Sequence, residues 1–160
     1  MNIKISCLAG AVLLSGVLGC SGENARVTTR LNDDARLAVE LPSHPMQGKV
    51  ITSWIDTRNA TMSTLFGNDV AARYARTNAE MKYPVGSVLS LVTWSQQEDP
   101  RWFGGKIPAK PKSVEIVAVG AAYSYQLYEG SPLKKVASVE GAAPNDRAAY
   151  LLAQRAAVMP

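Results

Sequence analysis

A chain of 160 residues with 47% hydrophobic and 19% charged residues has room for one domain and a short extension. The formal net charge is +4, or +3 without Lys4, and the basic residues are scattered apart from Arg101, Lys106, Lys110 and Lys112. Charge so weak and dispersed gives no nucleic-acid footprint, and that one cluster reads as a solvated loop.

The chain opens with a short basic stretch, Asn2-Ile3-Lys4, followed by an apolar run over 5–18. Fourteen apolar-type residues are too few to cross ~30 Å of hydrocarbon as a helix, so the run reads as the h-region of an export signal. Val17-Leu18-Gly19-Cys20 comes next and resembles the bacterial lipobox. The resemblance implies a lipoprotein signal peptide over 1–19 and lipid attachment at Cys20, the first residue of the mature chain. With Ser21 after it, it also implies a bacterial envelope protein on the periplasmic face of the outer membrane, where the cell has one. Residues 20–45 are then the lipidated cysteine and a tether, and 46–160 the folded domain. An ordinary signal peptide that leaves Cys20 free is the alternative. With Cys7 removed and Cys20 lipidated, the mature domain has no thiol, hence no disulfide, thiolate metal site or cysteine nucleophile. Export also argues against a nucleic-acid partner.

Residues 21–32 are polar and read as the tether. Residues 33–41 fit either period: Leu37, Val39 and Leu41 alternate like a strand, while Leu31, Ala35 and Ala38 share a helix face. With Asn32 as an N-cap and Pro42 as a stop, a short helix is expected. Strands are expected over 49–57 and 61–66. Gly67-Asn68 then opens a short helix over 69–76 with an acidic first turn. Tyr83-Pro84-Val85-Gly86 is turn chemistry, because Pro84 fixes φ and Gly86 tolerates φ > 0. The run 87–94 that follows is apolar on both parities, as a central strand covered on both faces would be. Trp94 is expected buried at its end, facing a helix.

Two glycines and two prolines in 104–112 predict a loop. Strands are expected over 113–119 and 123–129, a turn at Gly130-Ser131-Pro132, and a last helix from Asp146 to Val158 capped by Asn145. The pattern is α+β: an antiparallel β-sheet with a few flanking short helices, in a single domain.

The chemistry-bearing residues are sparse. His44, the one histidine, lies between Pro42 and Pro45 outside any predicted element, and reads as a surface residue. No His-x-x-His, His-Glu-x-x-His or carboxylate cluster with metal spacing appears. Glu98-Asp99 reads as a turn with a partner for Arg101 rather than an acid–base pair, since neighbours on an extended chain point apart. Gly104-Gly105 leads into prolines, not into a phosphate-cradling helix. The aromatics remain. Trp94, Trp102, Phe103, Tyr123 and Tyr125, with Arg101 as the one cation, are the candidate pocket wall; burial in the core is the plain alternative.

Phe66-Gly67-Asn68-x-x-Ala71, followed by the stretch from Tyr83-Pro84-Val85-Gly86 to Trp94, resembles the cytochrome P-460 family. The resemblance extends more loosely from about Trp54 to Tyr128. It implies a small envelope protein with an antiparallel sheet and flanking helices. In the family it also implies a c-type haem near the C-terminus, a lysine cross-linked to that haem, and oxidation of small nitrogen compounds such as hydroxylamine. This chain departs from that chemistry. It has no Cys-x-x-Cys-His, no cysteine or histidine after His44, and no lysine between Gly86 and Trp94, where Leu91 takes the equivalent position. The fold carries over and the catalytic residues do not.

The sequence therefore leads to a lipid-anchored envelope protein whose cytochrome P-460-like domain, without covalent haem, is a ligand-binding or interaction module. Its expected partners are the membrane, through the anchor, and a small-molecule ligand. One alternative is a redox protein holding non-covalent haem through Met81, a tyrosine or His44. The other is a purely structural lipoprotein.

Overall fold

The computed structural model describes residues 22–77 and 82–157. Cys20, the signal segment and Met81 lie outside the described residues. Six strands lie side by side in chain order, each antiparallel to the next: β1 Lys49–Asp56, β2 Thr61–Gly67, β3 Val88–Glu98, β4 Lys106–Val119, β5 Tyr123–Glu129 and β6 Lys134–Gly141. Three α-helices flank them, α1 Gly22–Asp34, α2 Asp69–Thr77 and α3 Asp146–Leu152, with a single 3-10 turn at Pro45–Gln47. The architecture is the α+β antiparallel sheet expected.

The double apolar parity of β3 has its cause here. Leu89 and Leu91 join Leu65, Val117, Tyr123 and Tyr125 in a core that Ala71 and Ala75 of α2 and Ala148 and Leu151 of α3 cover. Val92 and Trp94 join Phe66, Val114, Ile116 and Tyr128 on the opposite face. That second face is covered by the chain after α1, with Leu37 buried and Ala35, Val39 and Leu41 packed against it. Each face burying large side chains at about 25 cal/mol per Å² makes β3 and β4 the centre of the fold.

Trp94 is buried, with 5% of its surface exposed, but not as expected in detail. β3 runs on to Glu98, and Trp94 faces an extended segment rather than a helix; its indole Nε1 donates to the Ala35 carbonyl at 2.8 Å. The stretch read as a tether is helical from Gly22, and Leu31 at its end is buried. Of the helix expected over 33–41 only Asp33 and Asp34, the end of α1, are helical; beyond them Leu37, Val39 and Leu41 follow the period of two that seats alternate residues on a sheet.

The loop expected over 104–112 is the first half of β4. Proline is excluded from central strands for want of an N–H, but β5 pairs only with residues 113–119 of β4. Over 106–111 the strand has one partner, β3, and the register shifts at Trp94 to place Pro111 and Pro108. Side chains of β3 satisfy carbonyls of this half of β4: Ser95 Oγ donates to the Lys110 carbonyl at 3.2 Å and Gln97 Nε2 to the Pro108 carbonyl at 3.1 Å. β6 has no counterpart among the expected elements. It is a mostly exposed edge strand whose sequence shows little alternation. α3 ends at Leu152, short of the expected Val158; Ala156 N and Ala157 N instead donate to the carbonyls of Ala75 and Ile51.

The helix start and the turn before β3 meet. Asn68 Oδ1 accepts from Ala71 N at 3.0 Å and from Val88 N at 3.2 Å, and its amide donates to the Gly86 carbonyl at 2.7 Å. Gly86 holds φ at 88°, a value that favours glycine.

Candidate functional site

A carboxylate on the apolar face of a central strand must be paired, because an isolated buried charge is costly. Glu115 of β4 is such a group, 4% exposed and opposite Leu91 in the sheet. Arg147 of α3 grips it bidentately, Nε to Oε2 and Nη2 to Oε1, both at 2.6 Å, and Tyr125 Oη donates to Oε2 at 2.8 Å. Burial, and then the Glu115 carboxylate, push the Tyr125 phenol far above its ordinary range. The Glu115 hydrogen bonds raise Arg147 further, so the guanidinium stays charged. The Arg147 guanidinium also sits 4.9 Å from the Tyr150 ring centroid. The cluster has neither a nucleophile nor an open face on the carboxylate. Its effect is to clamp α3 to the sheet.

α3 in turn forms one wall of a cleft of about 540 Å³ at the end of the sheet. The β4–β5 turn, Gly120-Ala121-Ala122, forms a second wall, and the loop Ala142-Ala143-Pro144 a third. Six alanines among the lining residues leave the space open where larger side chains would fill it. Tyr83, Tyr123, Lys82 and Arg155 supply the polar groups, and no carboxylate lines the cleft among the described residues. Arg155 is held at its edge: Nη1 donates to the carbonyls of Gln154 and Leu152, and the guanidinium lies 5.8 and 5.9 Å from the Tyr74 and Tyr83 ring centroids. Tyr83 Oη donates to the Gln154 carbonyl at 3.0 Å. The buried Tyr123 hydroxyl has no hydrogen-bond partner among the described residues. Burial raises both phenols above their ordinary range, in Tyr83 against the opposing pull of Arg155. An apolar trough with two cations at its edge suits an organic anion.

No protein-family model matches the sequence, and neither does any curated protein.

The six residues proposed from sequence as one pocket wall fall in three places. Tyr123 and Tyr125 are in the α2–α3 core, and of the two Tyr123 lines the cleft. Trp94 is in the core on the opposite face. Arg101, Trp102 and Phe103 are exposed at the tip of the β3–β4 hairpin, where Arg101 Nε lies 3.6 Å from Asp99 Oδ1. That is the surface ion pair that Glu98-Asp99 suggested. The expectation misplaced the tip because it ended β3 at Trp94, which folded the next residues back toward the core. Glu115, Arg147 and Arg155 were missed. The signal for the first was a carboxylate in phase with Val117 and Val119 on one strand face.

Among the described residues the cleft lining includes no histidine, methionine or cysteine to serve as an axial haem ligand, and burial, which raises both of its phenols, disfavours a phenolate there. His44 lines a separate cavity of about 260 Å³ with Ser43, Gly48 and Asn68. Leu91 is 1% exposed in the α2–α3 core, its surroundings filled by side chains.

Proposed function

We propose that this chain is a lipid-anchored envelope protein whose cytochrome P-460-like domain, without covalent haem, binds a small organic anion in the cleft beside α3. The observation that carries the reading is the pairing of an alanine-walled cleft with Lys82, Arg155 and the partnerless Tyr123 hydroxyl. A buried polar atom without a partner in a native fold calls for a ligand or water. The junction of Asn68 with Gly86 supports the family resemblance, since it joins the two motifs on which the resemblance rests. The ligand is held by apolar area and by charge, and no covalent step is required.

The test is titration with an anilinonaphthalene sulfonate dye, an apolar aromatic anion. Wild type should bind it, Arg155→Gln about tenfold more weakly, as for loss of a charge-assisted contact. Ala149→Trp, which fills the cleft, should bind none. Equal binding by all three proteins would sink the cleft as the site. Haemin binding with a Soret band that Ala149→Trp abolishes would replace this reading with the non-covalent haem protein. The anchor is tested separately. Cys20 should carry a lipid mass, and Cys20→Ser should leave the detergent phase; an aqueous wild type refutes it.

A further inference from the structure

Exposed apolar residues are ordinary when single, but two adjacent aromatics on a fixed tip are not. Trp102 is 75% exposed and Phe103 fully so. The loop that carries them is held from within. Asp99 N donates to the Gly105 carbonyl at 2.9 Å, Gly105 N to the Trp102 carbonyl at 2.9 Å, and Arg101 N to Asp99 Oδ1 at 2.9 Å. Gly104 at φ 74° closes the turn. The loop therefore presents both rings outward instead of folding them onto the sheet.

The tip also stands clear of the domain. β2 pairs with β3 only as far as Ser95, and β5 with β4 only from Ser113. Beyond Ser95, β3 and the 106–108 stretch of β4 form a two-stranded arm, projecting roughly 10 Å at ~3.3 Å per residue. Glu98 pairs with Lys106 and Asp99 lies beside Arg101, so the charges of the arm itself balance. The basic excess is at its base, where Lys110 and Lys112 are exposed. The end of α1 comes to the same part of the molecule: Asp33, Asp34 and Arg36 share a shallow cavity with Lys110 and Pro111. Cys20 lies 13 residues before Asp33 in the chain. α1 itself, Gly22–Asp34, is about 20 Å long.

We propose that the β3–β4 arm is a second membrane contact, with Trp102 and Phe103 seated at the headgroup level and Lys110 and Lys112 against anionic lipid. Trp at the interface and lysines beside an anionic leaflet are the two chemistries that such a surface selects. A second copy of this chain would have to match a tip that is both aromatic and cationic, whereas an anionic leaflet receives aromatic rings at the headgroup level and lysines beside them without a shaped pocket. The proposal rests on the anchored-envelope reading for its location, and the arm's own chemistry does not depend on the lipid.

The experiment places the full chain in vesicles of phosphatidylethanolamine and phosphatidylglycerol containing brominated lipid, which quenches tryptophan at the bilayer. Wild type should show a quenched, blue-shifted component absent from Trp102→Phe, which keeps Trp54 and Trp94 in the domain. Replacing Lys110 or Lys112 by Gln should weaken that component about fivefold each in titrations of anionic lipid. Equal quenching in wild type and Trp102→Phe overturns the proposal. So does a dimer that Phe103→Ser dissociates without any quenching, which would make the tip a protein interface. Lipidation is read independently, as mass at Cys20, so loss of the anchor reading and loss of the docking reading give different results.

Discussion

Arg147 holds Glu115 through two hydrogen bonds of 2.6 Å, across the gap between α3 and the centre of the sheet. The carboxylate is the buried partner and the guanidinium is about half exposed, so the two deletions are not equivalent. Arg147→Ala strands a buried charge and should cost about 3 kcal/mol, the lower end for a broken buried pair, because water reaches the arginine side. A double replacement, Glu115→Leu with Arg147→Leu, should recover most of that loss, since a hydrophobic pair of similar volume often matches a buried ion pair. Urea denaturation of the three proteins checks this. A double variant no more stable than Arg147→Ala would show that the pair does more than satisfy itself.

Tyr125 makes the same cluster sensitive to alkali. Its phenol has an ordinary value of 10.0 and is raised in the fold by burial and by Glu115. The fold therefore favours the protonated phenol. That contribution is complete below pH 10 and lost as pH rises from there through the raised value. Tyr125→Phe should be less stable at neutral pH by ~1–3 kcal/mol, for the donor withdrawn from a buried carboxylate. Its alkaline limb should also be flatter than that of wild type. Melting temperatures taken from pH 7 upward decide it, and parallel limbs would contradict the assignment.

The junction ahead of β3 can be divided residue by residue. Asn68→Ala removes a helix cap and two further bonds, and should cost about 2 kcal/mol. Asn68→Asp keeps the acceptor for Ala71 N and loses only the donation to Gly86, so its cost should be near 1 kcal/mol. Gly86→Ala meets no atom within 4 Å of the added Cβ, so any loss is backbone strain, about 1–2 kcal/mol at this φ. Chemical denaturation gives the three values, and Gly86→Ala without effect would mean that the turn relaxes to negative φ.

Trp94 ties the N-terminal segment to the sheet. Trp94→Ala should cost ~3–5 kcal/mol as a large-to-small core change. Trp94→Phe should lose less, and the segment at Ala35 should then be cut first by protease, because its carbonyl loses its indole donor. Limited proteolysis of both variants, followed by mass analysis of the fragments, checks the order of release.

What could be read from the sequence was local. The strand character of β1 and β2, the alternation of β5, the caps at Asn68 and Asn145 and the turn at Gly86 are set by neighbouring residues, and each is where the sequence implied. Pro108 and Pro111 misled because a proline's cost depends on how many strands flank it, which is a property of the sheet. β6 left little trace because an edge strand with Lys134 and Lys135 needs no apolar face. The pairing of Glu115 with Arg147 spans 32 positions, and the cleft is assembled from the β3 approach, two turns and a helix. No short window contains such a site. Trp102 and Phe103 were legible as aromatics, but whether an aromatic faces inward or outward was decided by the length of the arm.

The order of the strands in space is the order in the chain, and this bears on how the protein folds. Except for β2 and β3, which are separated by α2, each strand pair closes only a turn, so little chain entropy opposes each step. The long-range contacts come from the two termini: Trp94 with Ala35, 59 residues apart, and Tyr83 with Gln154, 71 apart. Hairpins can therefore zip outward from β3–β4 before either terminus docks. In pulse-labelled hydrogen exchange during refolding, β3 and β4 amides should be protected ahead of those of Ala156 and Ala157. Simultaneous protection would show that sheet and termini form in one step.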